Sequence, residues 1–230
     1  MISLALIDIF KGLTSAEISR LEQGSARLDP RNRATIFAQG DPADSVYAII
    51  AGDGDVRIGA IDRNSKALMV EIFRTGQAFG EIGVIDGGVR SASAVAAGRV
   101  TLLKISAASF MHALRNCPPL GEALCRVMAG RLRRTFELFQ DATFETLEVR
   151  LARQVLYLAD REGRPGPQGV RLGNRFRQAD LADLLGATTR SIITILNVWR
   201  NAKVVVYDTD RALLTVLDIA ALKAIVDGDA

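Results

Sequence analysis

The chain has 230 residues, 49% of them apolar and 24% charged, with a formal net charge of +3. That supplies apolar material for one large or two modest cores, and no run approaches the ~18 apolar residues of a membrane span. Two cysteines (Cys117 and Cys125) and one histidine (His112) are too few for a disulfide framework, an iron–sulfur cluster, a His-rich metal site or a Ser-His-Asp triad.

The first residues, Met1-Ile-Ser-Leu-Ala-Leu-Ile-Asp8, carry an acid where a signal peptide needs base, and their apolar run is short. A cytoplasmic location with no membrane partner is therefore expected. Residues 15–23 read as a helix. Short apolar runs follow at 34–37, 45–50, 56–61, 67–73, 93–96 and 100–105, with Gly40-Asp41-Pro42, Gly52-Asp53-Gly54 and Gly87-Gly88 between them. Many short strands with frequent turns predict a barrel or sandwich.

Within this part, residues 79–96 read Phe-Gly-Glu-Ile-Gly-Val-Ile-Asp-Gly-Gly-Val-Arg-Ser-Ala-Ser-Ala-Val-Ala. Gly80 lets backbone approach a ligand closely. The turn beginning at Ile82 can present backbone N–H groups to an anion. Glu81 is a natural acceptor for a sugar hydroxyl, and the planar fork of Arg90 suits two phosphate oxygens. Ser91 adds a hydroxyl beside it, and Gly87-Gly88 turn the chain back so that Glu81 and Arg90 share one pocket. The segment suits a small ligand with both a sugar hydroxyl and a phosphate. The plainer alternative is a β-hairpin with a surface ion pair between Glu81 and Arg90.

Cys117-Pro118-Pro119 suits the entrance of a long helix, since proline is tolerated in the first turn, and no further proline occurs from Leu120 to about Thr143. Gly121, Cys125, Met128, Leu132, Thr135, Phe139 and Ala142 step by four and three along it. That heptad seam predicts two such helices paired in a homodimer; packing on the chain's own domain is the alternative. From Arg150 to Lys203 ten Arg and Lys face four Asp and Glu, a net +6, which fits a polyanion partner.

Residues 176–186 form an apolar helix ended by Gly186, and residues 187–199 a second helix directly after it. Thr188 can cap the second. Ile192, Ile195, Leu196 and Trp199 make its inner stripe; Thr189, Arg190, Ile193, Thr194 and Asn197 lie outward. This is a helix-turn-helix for double-stranded DNA. Arg190 suits a guanine edge, Ile193 or a threonine methyl a thymine methyl. Arg175, Arg177 and Gln178 suit phosphates. Runs at 204–207 and 213–216, joined by Asp208-Thr209-Asp210-Arg211, predict a wing hairpin, and residues 218–226 a final helix.

The Gly80-Glu81-Ile82 and Arg90-Ser91-Ala92 pattern, with the helix-turn-helix behind it, resembles the CRP/FNR family of regulators over nearly the whole chain. The resemblance implies an α+β chain: a cyclic-nucleotide-binding β-roll (1–115), a dimerisation helix (116–145) and a winged helix-turn-helix (146–230). It implies a cyclic purine mononucleotide, cAMP or cGMP, as effector, held by Gly80, Glu81, Ile82, Arg90 and Ser91, with Thr135 meeting the base beside Phe136. It also implies RNA polymerase as a partner, and no catalytic activity. The few cysteines and single histidine remove the family's oxygen- and haem-sensing forms, so no metal, haem or iron–sulfur cluster is expected. Many members carry a Glu two residues into the recognition helix and an Arg four residues later; here Arg190 and Thr194 stand there. Ligand binding is expected to set the hinge near 141–147 and bring two recognition helices onto half-sites about 34 Å apart. Arg90→Ala is expected to lose the ligand while the fold survives. Two alternatives remain: a regulator of this fold independent of cyclic nucleotide, and a nucleotide-binding module that no longer reads DNA.

Overall fold

A computed structural model describes residues 1–61, 67–173 and 175–228. The chain forms two compact units that divide within one long helix, after Arg134, with residues 67–69 grouped in the second.

The first unit opens with two short 3-10 turns, Leu4–Leu6 and Asp8–Phe10, and helix α1, Ser15–Gln23. Thr14 and Glu17 start α1 as a reciprocal cap: the Thr14 hydroxyl accepts from the Glu17 amide, and Glu17 Oε2 accepts from the Thr14 amide at 2.7 Å. Strands β1 (Ser25–Leu28), β2 (Thr35–Phe37), β3 (Ser45–Gly52), β4 (Asp55–Ile61), β5 (Ala67–Phe73) and β6 (Ala78–Phe79) follow. Then come α2 (Ile82–Asp86), β7 (Ser93–Ala97), β8 (Val100–Ser106), α3 (Ala107–Asn116) and α4 (Pro118–Phe144). The strands make two four-stranded sheets, ordered β1-β8-β3-β6 and β2-β7-β4-β5.

Alternation along β3 shows how the layers are filled. Tyr47 and Ile49 point into a core between the sheets, with Phe37, Val56, Phe73, Phe79, Ala94, Ala96, Val100 and Leu102. Val46, Ala48 and Ile50 point the other way, into a second core closed by the N-terminal turns, α1, α3 and the start of α4. A strand covered on both faces loses the polar-out half of its pattern, which is why 45–50 reads as a continuous apolar run.

The second unit holds the rest of α4, α5 (Leu147–Glu162), strands β9 (Arg164–Gly166) and β10 (Gly169–Arg171), helices α6 (Gln178–Leu185) and α7 (Thr189–Asn201), β11 (Val205–Asp208), β12 (Leu213–Val216) and α8 (Ile219–Asp227). Its sheet is ordered β11-β12-β10-β9. Leu151, Val155 and Leu158 of α5, Leu181 and Leu185 of α6, Ile192, Leu196 and Trp199 of α7, and Leu222 of α8 are buried. Trp199 Nε1 donates to Glu148 Oε1 at 2.8 Å, tying α7 to α5.

One expectation needs correction. The turn after Glu81 is a short helix, α2. The long helix starts at Pro118, at the predicted entrance, since a proline in the first turn loses no helical hydrogen bond. On the predicted seam, Met128 is partly buried against the first unit's core, whereas Leu132 and Phe139 are 57% and 68% exposed, with Phe136 beside them at 61%. The exposed stripe is therefore Cys125, Ala129, Leu132, Phe136 and Phe139. Strands β1 and β6, helices α3 and α5, and the β9–β10 pair were not anticipated.

Leu196 is 2% exposed on the inner stripe of α7. Leu196→Ala is expected to cost about 2–5 kcal/mol of stability. Denaturant unfolding followed by emission of Trp199, the chain's one tryptophan, measures it.

Candidate functional site

The cassette is built at the end of β6. Pairing of Tyr47 with Phe79 and Ala48 with Ala78 fixes that strand against β3. The chain then turns at Gly80, whose φ of +82° lies in the left-handed region. A Cβ there would stand 3.0 Å from Arg90 Nη1 and 3.3 Å from the Phe37 ring, so this position needs glycine on both counts.

Glu81 and Arg90 are both buried, at 2% and 3% exposure. They do not pair with each other. Glu81 Oε1 accepts from Arg131 Nη1 at 2.6 Å, and Arg131 Nη2 donates to the Ala78 carbonyl at 2.8 Å. Arg131 also lies over the Phe73 ring, 4.6 Å from its centroid, and 3.8 Å from Glu71. Arg90 Nη1 donates to the carbonyls of Ser45 and Gly80 at 2.8 and 2.7 Å. Its Nη2 donates to the Ser45 hydroxyl at 3.1 Å and to Asp44 Oδ1 at 3.3 Å. The guanidinium stands 4.2 Å above the Phe37 ring. The plainer surface-hairpin alternative therefore fails: both charges are buried, each with partners of its own.

These contacts give Arg90→Ala a cost in stability beside the expected loss of ligand. The guanidinium ties the cassette to β3, and removing it leaves two buried carbonyls without their donor. Neighbouring groups carry the imprint of this packing. Burial pushes the Asp8 carboxyl up, against the Ile9 amide and the charge of Arg131. The Ser45 hydroxyl and the Lys104 ammonium hold the Asp44 carboxyl below its usual range.

Two buried polar atoms of the cassette remain without partners among the described residues: Glu81 Oε2, an acceptor, and Arg90 Nε, a donor. Leaving such atoms orphaned is costly, and each calls for a partner. A ligand offering a hydroxyl and an anionic oxygen supplies one of each. Ile82 and Ser91 are exposed, and α2 starts without a side-chain cap, which leaves its first amides to other acceptors. Thr135 is exposed on α4, one turn beyond Arg131, in the second unit; its role rests on the sequence resemblance. Sequence reasoning missed Arg131, which no local motif marks.

In the second unit, α6 ends at Gly186 with φ +60°, and α6 and α7 meet at 112°, the geometry of a helix-turn-helix. Thr188 caps α7, its hydroxyl accepting from the Ser191 amide at 3.1 Å and meeting the Ser191 hydroxyl at 2.8 Å. Thr189, Arg190, Thr194 and Asn197 are exposed, and Ile193 is half-buried beside them. Arg177 is exposed but engaged: its amide and guanidinium donate to the buried Asp180 at 2.8 and 3.1 Å. Gln178 opens α6, half-buried, and Arg175 is exposed. The wing hairpin is observed as β11 and β12.

Known proteins match both units. The cyclic nucleotide-binding domain matches residues 31–117 and the Crp-like helix-turn-helix domain residues 149–225. A CRP-like cAMP-activated global transcriptional regulator of Mycobacterium tuberculosis is 31% identical over 189 residues, covering 82% of this chain and 84% of the relative. A global nitrogen regulator of Synechococcus elongatus is 24% identical over 224 residues, covering 95% of each. Among solved structures, the c-di-GMP responsive global regulator CLP of Xanthomonas campestris shares the fold with a TM-score of 0.76 at 21% identity, covering 89% of this chain and all of that one. With a ligand cassette and a helix-turn-helix joined in one chain, and a relative this similar over most of its length, the chain belongs to the CRP/FNR family of DNA-binding transcription regulators.

Proposed function

We propose that the chain is a homodimeric transcription regulator gated by a cyclic purine mononucleotide. The observation that carries this reading is the pair of orphaned buried atoms, Glu81 Oε2 and Arg90 Nε. A ribose hydroxyl would donate to the first and a cyclic phosphate oxygen accept from the second. The backbone at Gly80 and Ile82, and the exposed Ser91, would complete the cradle. The cAMP activation of the Mycobacterium tuberculosis relative supports a nucleotide of this class. The exposed apolar stripe of α4 supports the homodimer, since soluble monomers rarely leave large side chains such as Leu132, Phe136 and Phe139 in a row.

Gating follows from Arg131. It reaches from α4 to the carboxylate that the ligand would share, so occupancy at Glu81 changes the field felt by the helix. A second reading, a regulator of this fold independent of cyclic nucleotide, is favoured by Arg90, whose guanidinium already has four protein acceptors.

Titration calorimetry with cAMP and, separately, cGMP distinguishes the two. One nucleotide is expected to bind, and Glu81→Gln to weaken it roughly 10-fold or more, the loss of a hydrogen bond to a charged acceptor. Heat from neither nucleotide would favour the nucleotide-independent regulator. Arg90→Ala is expected to lose binding and also about 2–4 kcal/mol of stability, read by thermal melting beside the calorimetry. Phe139→Ser is expected to shift sedimentation from dimer towards monomer; a wild-type monomer at micromolar concentration would remove the homodimer.

A further inference from the structure

Resting on the reading of α7 as a DNA recognition helix, the structure lets its outward groups be sorted by what they still have to give. The Thr188 hydroxyl is spent on the helix cap. The Thr194 hydroxyl donates to the Arg190 carbonyl at 3.0 Å, which turns it back onto the helix and leaves a methyl as the outward group. Arg177 is held by Asp180. Arg190 is exposed, stands in the first turn of α7, and has no hydrogen-bond or ion-pair partner for its guanidinium among the described residues. No Asp or Glu occurs anywhere in α7, Thr189–Asn201.

We infer that the DNA half-site is fixed by a G·C pair read from its guanine edge by Arg190, beside A·T pairs read through thymine methyl groups by Ile193 and Thr194. The chemistry is one-sided. A guanidinium matches the two acceptors of guanine, O6 and N7, and no other base offers that pair. The first turn of a recognition helix is the part that reaches base edges. Ile193 and the Thr194 methyl offer only apolar contact on the same face, which thymine alone rewards. Without a carboxylate on α7 the helix has no charged acceptor for the cytosine amino group.

Selection from a random duplex pool tests this, using the full-length chain with and without cAMP or cGMP, beside Arg190→Ala and Arg190→Glu. The wild type is expected to select a site with an invariant guanine in each half. Arg190→Ala should flatten that position alone, losing roughly 5- to 150-fold of its preference, the value of one bidentate pair. Arg190→Glu should favour cytosine there. Because Arg190 is exposed, both variants should keep the wild-type melting midpoint and Trp199 emission. A selected site without a fixed guanine, or a guanine that Arg190→Ala retains, overturns the inference while leaving DNA reading intact. Selection of no sequence by the folded wild type in any condition overturns both.

Discussion

Burying a carboxylate and a guanidinium in one short loop is unfavourable unless each finds close partners. Glu81 and Arg90 are nine residues apart and both below 4% exposure. The surrounding architecture follows from supplying those partners. Arg90 takes carbonyls from the end of β3 and from Gly80, so β3 and β6 must lie side by side. The left-handed turn at Gly80 is what aims its carbonyl at the guanidinium. Phe37, Tyr47, Phe73 and Phe79 form an aromatic floor on which Arg90 and Arg131 rest by their faces, a geometry that Lys does not reproduce. The loop is thereby preorganised: its charged groups are positioned by the protein, with one acceptor and one donor left over.

The second unit handles its cations differently. The stretch 150–203 carries a net charge of +6, yet several of its arginines are bonded within the fold. Arg150 donates to the Leu185 carbonyl and so ends α6. Arg153 bridges Asp141 and Glu145, and Arg177 is bound to Asp180. Charge counted along a sequence therefore overstates what is available to a polyanion. Arg190 has no such partner among the described residues, and that shows only once the fold is assembled.

Much of the fold is legible in the residues. The strands of the β-roll follow from apolar runs between glycine turns, and Thr188 and Gly186 mark the ends of the two reading helices by cap chemistry alone. Helix α5 also carries a readable stripe, Leu151, Val155 and Leu158, behind its Thr146 cap, but its arginines make the stretch look merely basic. Two failures have a common physical source. Arg131 lies fifty residues from Glu81, and no local pattern tells which face of α4 meets the cassette. On α4, Met128 packs against the first unit's core while Leu132, Phe136 and Phe139 stay exposed, because two stripes of nearly equal apolarity run side by side. A helix of 3.6 residues per turn drifts past a strict seven-residue repeat, and tertiary packing decides which stripe is covered. The buried state of Glu81 and Arg90 was hidden for the same reason: motif spacing gives identity and order, not the depth at which a charge will sit.

Helix α4 is where the two kinds of electrostatics meet in one element. Near its middle, Arg131 is fixed to Glu81 and the Ala78 carbonyl. Ten residues on, about 15 Å along the axis, Asp141 is fixed to Arg153 of α5, with Glu145 sharing the same guanidinium. Between these anchors there is no proline and no glycine; Gly121 and Gly130 both precede the first. Such a segment transmits rotation or translation better than it absorbs it, because bending needs a break in the hydrogen-bond ladder. The break comes after Phe144, where Thr146 caps α5 anew with its hydroxyl on the Val149 amide. Under the proposed gating, a ligand that competes with Arg131 for Glu81 acts on a helix whose last turns are held by these ion pairs directly before the break.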